Sequence, residues 1–168
     1  GDDAGTTFLH VASEKGHLNI VRFFVRDIRV SVNQPNGNGA TPLFMAAQRG
    51  HLDIVKFLCE DANATVNQAR KDDGAAPLFM ACQKGHLDVV RYLAGSAHAS
   101  VNQSMLSDGA TPLYVAAQMG HEDVVKYLAA EARADVNQAK TDTRGGTPLM
   151  IAAQKGHLEI VRFLVTEA

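Results

Sequence analysis

The chain has 168 residues, 46% of them apolar and 20% charged, with no Trp and a formal net charge of −2. That balance argues for a folded chain and against disorder, and it gives no overall attraction to nucleic acid or an anionic membrane. No apolar run approaches the ~18 residues of a membrane span, and Gly1-Asp2-Asp3-Ala4-Gly5 has no signal-peptide pattern.

One block returns five times: Gly5 to His17, Gly39 to His51, Gly74 to His86, Gly109 to His121 and Gly145 to His157. In each, the first Gly leads the Gly-His pair by 11 residues, and the steps between copies are 34, 35, 35 and 36. A fixed block with a drifting period predicts one structural unit stacked in a row, with insertions confined to a loop. The units fall at about 5–38, 39–73, 74–108, 109–144 and 145–168, forming a single domain.

The second unit carries every feature. Thr41 suits a helix N-cap and Pro42 the N1 position, where no N–H is needed. The helix runs through Leu43-Phe44-Met45-Ala46-Ala47-Gln48-Arg49, and Gly50 ends it as a left-handed cap. A second helix is predicted at Leu52 to Glu60, with Leu52, Val55 and Leu58 or Cys59 on its apolar face. The Ala pair lets the two antiparallel helices approach closely. An extended segment, Ala64 to Gln68, and a polar loop then lead to the next unit.

Val-Asn-Gln returns at 32–34, 66–68, 101–103 and 136–138, always 16 residues after the Gly of the Gly-His pair. The distance from its Asn to the next Thr-Pro position grows as 8, 9, 9 and 10, so the insertions collect in the projecting loop, where binding residues often sit. Cys82 stands where Ala47, Ala117 and Ala153 stand, and reads as a small buried hydrophobe. Two non-recurring cysteines, Cys59 and Cys82, suggest neither a disulfide framework nor a zinc site, and an intracellular, cytoplasmic setting is expected.

The pattern Gly-x-Thr-Pro-Leu-x-x-Ala-Ala-x-x-Gly-His-Leu-x-x-Val, followed by Val-Asn, resembles the ankyrin repeat, and the resemblance covers essentially the whole chain. It implies an all-α repeat solenoid: stacked antiparallel helix pairs with projecting β-hairpin fingers and a concave face that binds other proteins. The chain departs from the family pattern at the His after Pro-Leu, kept only as His10 and replaced by Phe44, Phe79, Tyr114 and Met150, where apolar packing is expected to substitute. Glu122 replaces the Leu of the other units (Leu18, Leu52, Leu87, Leu158), leaving a packing deficit or a specific polar contact. Phe8 replaces the Pro of unit one, and neither end has a polar cap, so the chain reads as part of a longer array or multidomain protein.

No nucleophile-base set, phosphate-binding glycine loop or metal spacing is present, so no enzyme activity and no cofactor are expected. His17, His51, His86, His121 and His157 recur about one helix-packing distance apart, roughly 8–10 Å, too far to share an ion, and are read as turn residues bonding locally. Asp53/Lys56, Asp88/Arg91, Asp123/Lys126 and Glu159/Arg162 are read as i,i+3 pairs, and His98 as a solvated loop residue.

What stacking does not dictate is one row per unit on the first helix, which the resemblance places on the concave face. These are Met45, Gln48 and Arg49; Met80, Gln83 and Lys84; Val115, Gln118 and Met119; Ile151, Gln154 and Lys155; with Val11, Glu14 and Lys15 at the start. The fingers add Met105 and Leu106, the basic Arg70-Lys71, and Lys140 with Arg144. The expectation is a non-enzymatic interaction module, monomeric in isolation, holding a protein partner with an acidic or apolar segment. Met45, Met80, Met119, Arg49 and Lys84 are its expected anchors, with Met105 and Leu106 contributing from a finger. The alternative is a targeting segment of an enzyme or channel whose active part lies elsewhere. Nucleic-acid binding is disfavoured by the charge and by the absence of aromatics among the cations.

Overall fold

Thr-Pro-Leu starts a helix in three units. The computed structural model, which describes residues 5–141 and 145–168, shows why. Thr41, Thr111 and Thr147 each accept a hydrogen bond at Oγ1 from the backbone N–H of Phe44, Tyr114 and Met150, at 3.2, 3.1 and 3.3 Å. The Pro that follows each occupies the first helical turn, and Pro77 does so after Ala76, which has no hydroxyl to offer. Each first helix ends at a glycine with φ between 73° and 79°, a conformation only glycine adopts without strain.

Among the described residues there are ten α-helices and no strand. They pair as α1 (Phe8–Lys15) with α2 (Leu18–Arg26), α3 (Pro42–Arg49) with α4 (Leu52–Glu60), and α5 (Pro77–Lys84) with α6 (Leu87–Arg91). The remaining pairs are α7 (Pro112–Met119) with α8 (Glu122–Ala130), and α9 (Pro148–Lys155) with α10 (Leu158–Thr166). After α6 the chain continues as a π-helical turn, Tyr92–Ser96, closed by the Ala97 N–H donating to Tyr92 O at 2.9 Å. The odd-numbered helices pack in one row and the even-numbered helices form a second row beside them, so the solenoid is two layers deep.

The core runs along the seam between these rows. Ala46, Ala47, Ala81, Cys82, Ala116 and Ala117 are fully buried, and these small residues let neighbouring first helices approach closely. Leu58, Leu93 and Leu128 close the seam from the second helices. Cys82 is the buried small hydrophobe expected, and desolvation pushes its thiol pKa upward.

The joints between units are polar and regular. Contrary to the expectation from sequence, His51, His86, His121 and His157 do not bond locally. Each donates from Nε2 to a carbonyl of the preceding unit, at Glu14, Gln48, Gln83 and Gln118 respectively, over 3.0–3.1 Å. The cap glycine is what makes room. A Cβ on Gly50, Gly85 or Gly120 would lie 2.6–2.7 Å from the next unit's imidazole ring. A second ladder runs through the asparagines: Asn33, Asn67 and Asn102 accept at Oδ1 from the backbone N–H of Thr65, Ser100 and Asp135 at 2.7–2.9 Å. The segment at 64–68 is accordingly not extended but a turn, with Gln68 N–H donating to Thr65 O at 3.2 Å.

Among the described residues the fingers form no strand, so the expected β-hairpins are not seen. The first three each close through two backbone bonds: Asn36 N–H to Ala40 O and Gly39 N–H to Asn36 O, Arg70 N–H to Ala75 O and Gly74 N–H to Arg70 O, and Met105 N–H to Ala110 O and Gly109 N–H to Met105 O, at 2.9–3.1 Å. In the fourth, Lys140 N–H donates to Gly146 O at 3.0 Å. Arg144 lies outside the described residues.

Of the four expected i,i+3 ion pairs only Glu159 with Arg162 forms, at 3.0 Å. The other cations reach elsewhere: the Arg22 and Arg26 guanidiniums lie over Phe57, Lys56 over Tyr92 and Arg91 over Tyr127, each across a joint between units. Glu122 resolves as the polar contact: it holds Lys126 Nζ at 2.7 Å. His98 is exposed, with φ 54°, two residues past the π-helical turn that completes the third unit's second helix.

His10 is the buried exception in its row. Its Nδ1 accepts from the Thr7 hydroxyl at 2.8 Å and from the Thr7 N–H at 3.2 Å, while Nε2 donates to Ala40 O at 3.0 Å. Desolvation holds its pKa below the ordinary 6.5, against the smaller pull of the Ala40 and Gln34 carbonyls. The unfolded chain therefore takes up this proton before the folded one. The His10 contribution to stability is constant above pH 6.5 and falls as the pH drops below it. Urea midpoints of the wild type and His10→Phe should diverge between pH 7.5 and pH 5.5, with the wild type losing more; equal losses would contradict the buried neutral imidazole.

Candidate functional site

The first helices carry the candidate row, and the stack sorts its members by depth. The residue before each small pair was expected on the open face, and the structure corrects this for three of five: Met80 is 7% exposed, Val115 3% and Ile151 6%, whereas Val11 is exposed. Met45 is half-buried against the core. Close approach of the helices at the Ala pairs folds the adjacent side chain into the gap, so this position packs between units.

The next two positions stay open. Gln48, Gln83 and Gln118 are half-buried, their carbonyls taken by the following unit's histidine, while Gln154 is exposed. Arg49, Lys84, Met119 and Lys155 are exposed at the ends of their helices. The row is less basic than it reads: Arg49 Nη2 donates to Glu14 Oε1 at 2.5 Å, across the first joint. Lys84 and Lys155 make no ion pair with any described residue.

The finger cations are likewise engaged. Arg70 binds Asp72 through Nε and Nη2 at 3.1 and 2.6 Å, lies 3.3 Å from Asp73, and sits over the Phe44 ring at 5.7 Å. That guanidinium holds the Asp72 carboxyl at a pKa of about 2. Two fingers later, Lys140 meets Asp108 Oδ2 of the preceding finger at 2.5 Å, with the Tyr114 ring 5.2 Å away. Met105 is half-buried and packs against the core, whereas Leu106 remains 74% exposed. The Leu106 N–H donates to Asp73 O at 2.8 Å, tying its finger to the one before.

These elements converge between units four and five. Tyr114, Gln118, Lys140, Gly146, Met150, Ile151, Gln154 and Lys155 line a cleft of about 490 Å³, floored by the first helices and walled by a finger base. Gln118, Ile151, Gln154 and Lys155 were candidates from the sequence; Tyr114, Lys140, Gly146 and Met150 were not assigned to a groove. A signal for two of them existed. At Phe44 and Tyr114, two of the three aromatics that replace the family His, a cation stands at the base of the following finger, Arg70 and Lys140, whereas Phe79 has Met105 at that place.

The chemistry of the site is that of recognition. Its groups are amides, ammonium ions, a phenol and thioethers. Burial, with Glu60 nearby, raises the half-buried Cys59 thiol to a pKa of about 11, so both cysteines stay protonated and poorly nucleophilic at neutral pH. No cluster of three or more His, Cys, Asp or Glu able to hold a metal ion occurs among the described residues. Nor is any described helix long and apolar enough to cross a membrane.

Ten helices in two rows, joined unit to unit by histidine and asparagine bonds and leaving one helix face uncovered, define a helix-pair repeat solenoid. A family model described as Ankyrin repeats (3 copies) matches residues 1–70, 61–140 and 95–168, and the chain belongs to the ankyrin repeat family. No curated protein matches the chain.

Proposed function

We propose that this array binds a partner protein along its first-helix face, with the cleft between units four and five as the principal seat. Ankyrin repeats generally serve protein–protein interaction. The observation that carries the reading is the convergence of four sequence candidates, Gln118, Ile151, Gln154 and Lys155, on one 490 Å³ cleft that also exposes Met150. An aliphatic side chain on Met150 and a carboxylate reaching Lys155 would both be accommodated, so an extended segment with an acidic and an apolar residue is the expected ligand. Lys84 and Met119 extend the same face towards the middle of the array, and Leu106 offers an apolar finger contact.

The reading is non-enzymatic, and an intracellular setting agrees with two protonated cysteines, one of them fully buried. Partners captured on the immobilised array and identified by mass spectrometry supply the ligand for the decisive measurement. Lys155→Glu combined with Met150→Ala should weaken that affinity about tenfold or more, as expected for central anchors, with the array's unfolding midpoint preserved. Unchanged affinity would remove the cleft from the binding site.

A further inference from the structure

Four of the five second helices carry an acid at the same place near their C-terminal end, and the third unit breaks the series. Asp27, Asp61, Glu131 and Glu167 each stand five residues after the cation of their own helix, at Arg22, Lys56, Lys126 and Arg162; after Arg91 that place is taken by Ser96. The acids serve the joint to the unit before. Arg26 Nη2 of unit one meets Asp61 Oδ1 of unit two at 3.2 Å, and Arg91 Nη2 of unit three lies 3.6 Å from Glu131 Oε1 of unit four. At the fourth joint the Lys126 ammonium is held above its ordinary pKa by Glu122 and, beyond it, by Glu167.

The second joint has the cation without the acid. Lys56 lies over the Tyr92 ring at 5.8 Å and makes no ion pair with a described residue, although it holds the position of Arg91. Beside it, Leu52, Lys56, Asp88, Arg91, Tyr92 and Ser96 line an open cleft of about 280 Å³ between units two and three, each of which has a neighbour on both sides. Arg91 turns away to the Tyr127 ring and Glu131, which leaves Lys56 as the cation of the cleft. Asp88, the one carboxylate on its wall, belongs to the first turn of α6, roughly 12 Å along the helix from Ser96. Ser96 itself is exposed, and its backbone is the only second-helix end among the described residues wound as a π-helical turn. Gly95 stands in that turn where Glu60 and Ala130 stand in the flanking units, and glycine weakens a helix relative to either. This end therefore opens most readily into the extended form that a modifying enzyme's site accepts.

We infer that Ser96 is a phosphorylation site whose phosphate completes the second joint by pairing with Lys56. On a protein kinase, Ser96 Oγ attacks the γ-phosphorus of a nucleoside triphosphate. The new O–P bond forms as the bond to the β,γ-bridging oxygen breaks, the nucleoside diphosphate leaves, and the hydroxyl proton passes to the kinase's base. The product carries a charge of about −1.5 to −2 at neutral pH. Its phosphate oxygens stand the same number of bonds from Cβ as the carboxylate oxygens of Glu131, so they reach as far towards the preceding unit's cation. A helix C-terminus is by itself an unfavourable place for an anion. At Asp61 and Glu131 the preceding unit's arginine offsets that, and at Ser96 the task falls to Lys56. The inference does not depend on the cleft between units four and five.

Protein isolated from the cells that make it, with phosphatases inhibited, should carry a phosphoryl group that peptide fragmentation places on Ser96. An unmodified Ser96, or phosphorylation confined to the exposed Ser100 and Ser107, would overturn the site. The pairing is read separately, by urea unfolding at low salt. Phosphoserine incorporated at position 96 during synthesis should raise the folding equilibrium constant about threefold, the scale of an exposed ion pair, and Ser96→Glu should reproduce part of that rise. Both gains should vanish in a Lys56→Met background and shrink at high salt. A gain that persists without Lys56, or a phosphate that lowers stability with Lys56 present, would overturn the pairing.

Discussion

Met80→Ala lowers the unfolding free energy of the array by about 3 kcal/mol, within the range for truncating a buried methionine. The side chain is 7% exposed and lies in the core between first helices, so its removal leaves a cavity that the flanking Ala81 and Cys82 are too small to fill. Met119→Ala, one unit on and two positions past the small pair, should change stability by less than about 0.5 kcal/mol, since that side chain is 51% exposed. Urea unfolding of the two variants side by side distinguishes a packing residue from a surface one. If both cost the same, the assignment of Met80 to the core is wrong. The comparison also matters for function, because a loss of binding in Met80→Ala would report damage to the scaffold.

Gly85→Ala carries the second large effect. Two costs add there: a left-handed φ of 73°, about 1–2 kcal/mol for a residue with a Cβ, and the displacement of His121, whose Nδ1 would lie 2.6 Å from the new methyl. Moving that ring breaks its bond to the Gln83 carbonyl, worth about another 1 kcal/mol. The total should reach about 3 kcal/mol, whereas Gly156→Ala, with φ 79° and nothing within 4 Å, should cost only the backbone term of about 1–2 kcal/mol. Differential scanning calorimetry on the two variants tests this. The Gly85 variant should also broaden the transition, because units three and four are then less tightly coupled. Equal losses in the two would mean that the glycine serves the cap alone.

The helices were legible in the sequence because their ends are written in residues with local physics: Thr and Pro at the start, Gly at the stop. α3 and α4 begin and end within one residue of where those signals put them. What the signals could not convey is depth. Whether Met80 or Gln83 faces water depends on how closely two first helices approach, and that is set by Ala81 and Cys82 together with Ala46 and Ala47 one unit away. The histidines show the same limit. A Gly-His pair reads as a turn, yet the imidazole's partner lies 37 to 39 residues earlier, a pairing visible only once the units are stacked. The candidate row therefore differs from the reading in its exposure, with Met80, Val115 and Ile151 buried. The cation of the finger base, Lys140, joined the site through an aromatic contact that spacing alone does not reveal.

Lys126 shows how one substitution reaches beyond its own helix. In the first three joints a cation from the earlier unit covers the aromatic of the later one, and among the described residues no such contact is made by Lys126, which Glu122 holds instead. The fourth joint thus lacks the clasp that the others share, and the array has a built-in tear line beside the cleft between units four and five. Unzipping should begin there, with amides of α9 and α10 exchanging with deuterium ahead of those in α3 to α6. Glu122→Leu, by freeing Lys126 for the Phe163 ring, should slow that exchange; no change would show that the last pair frays only because it is last.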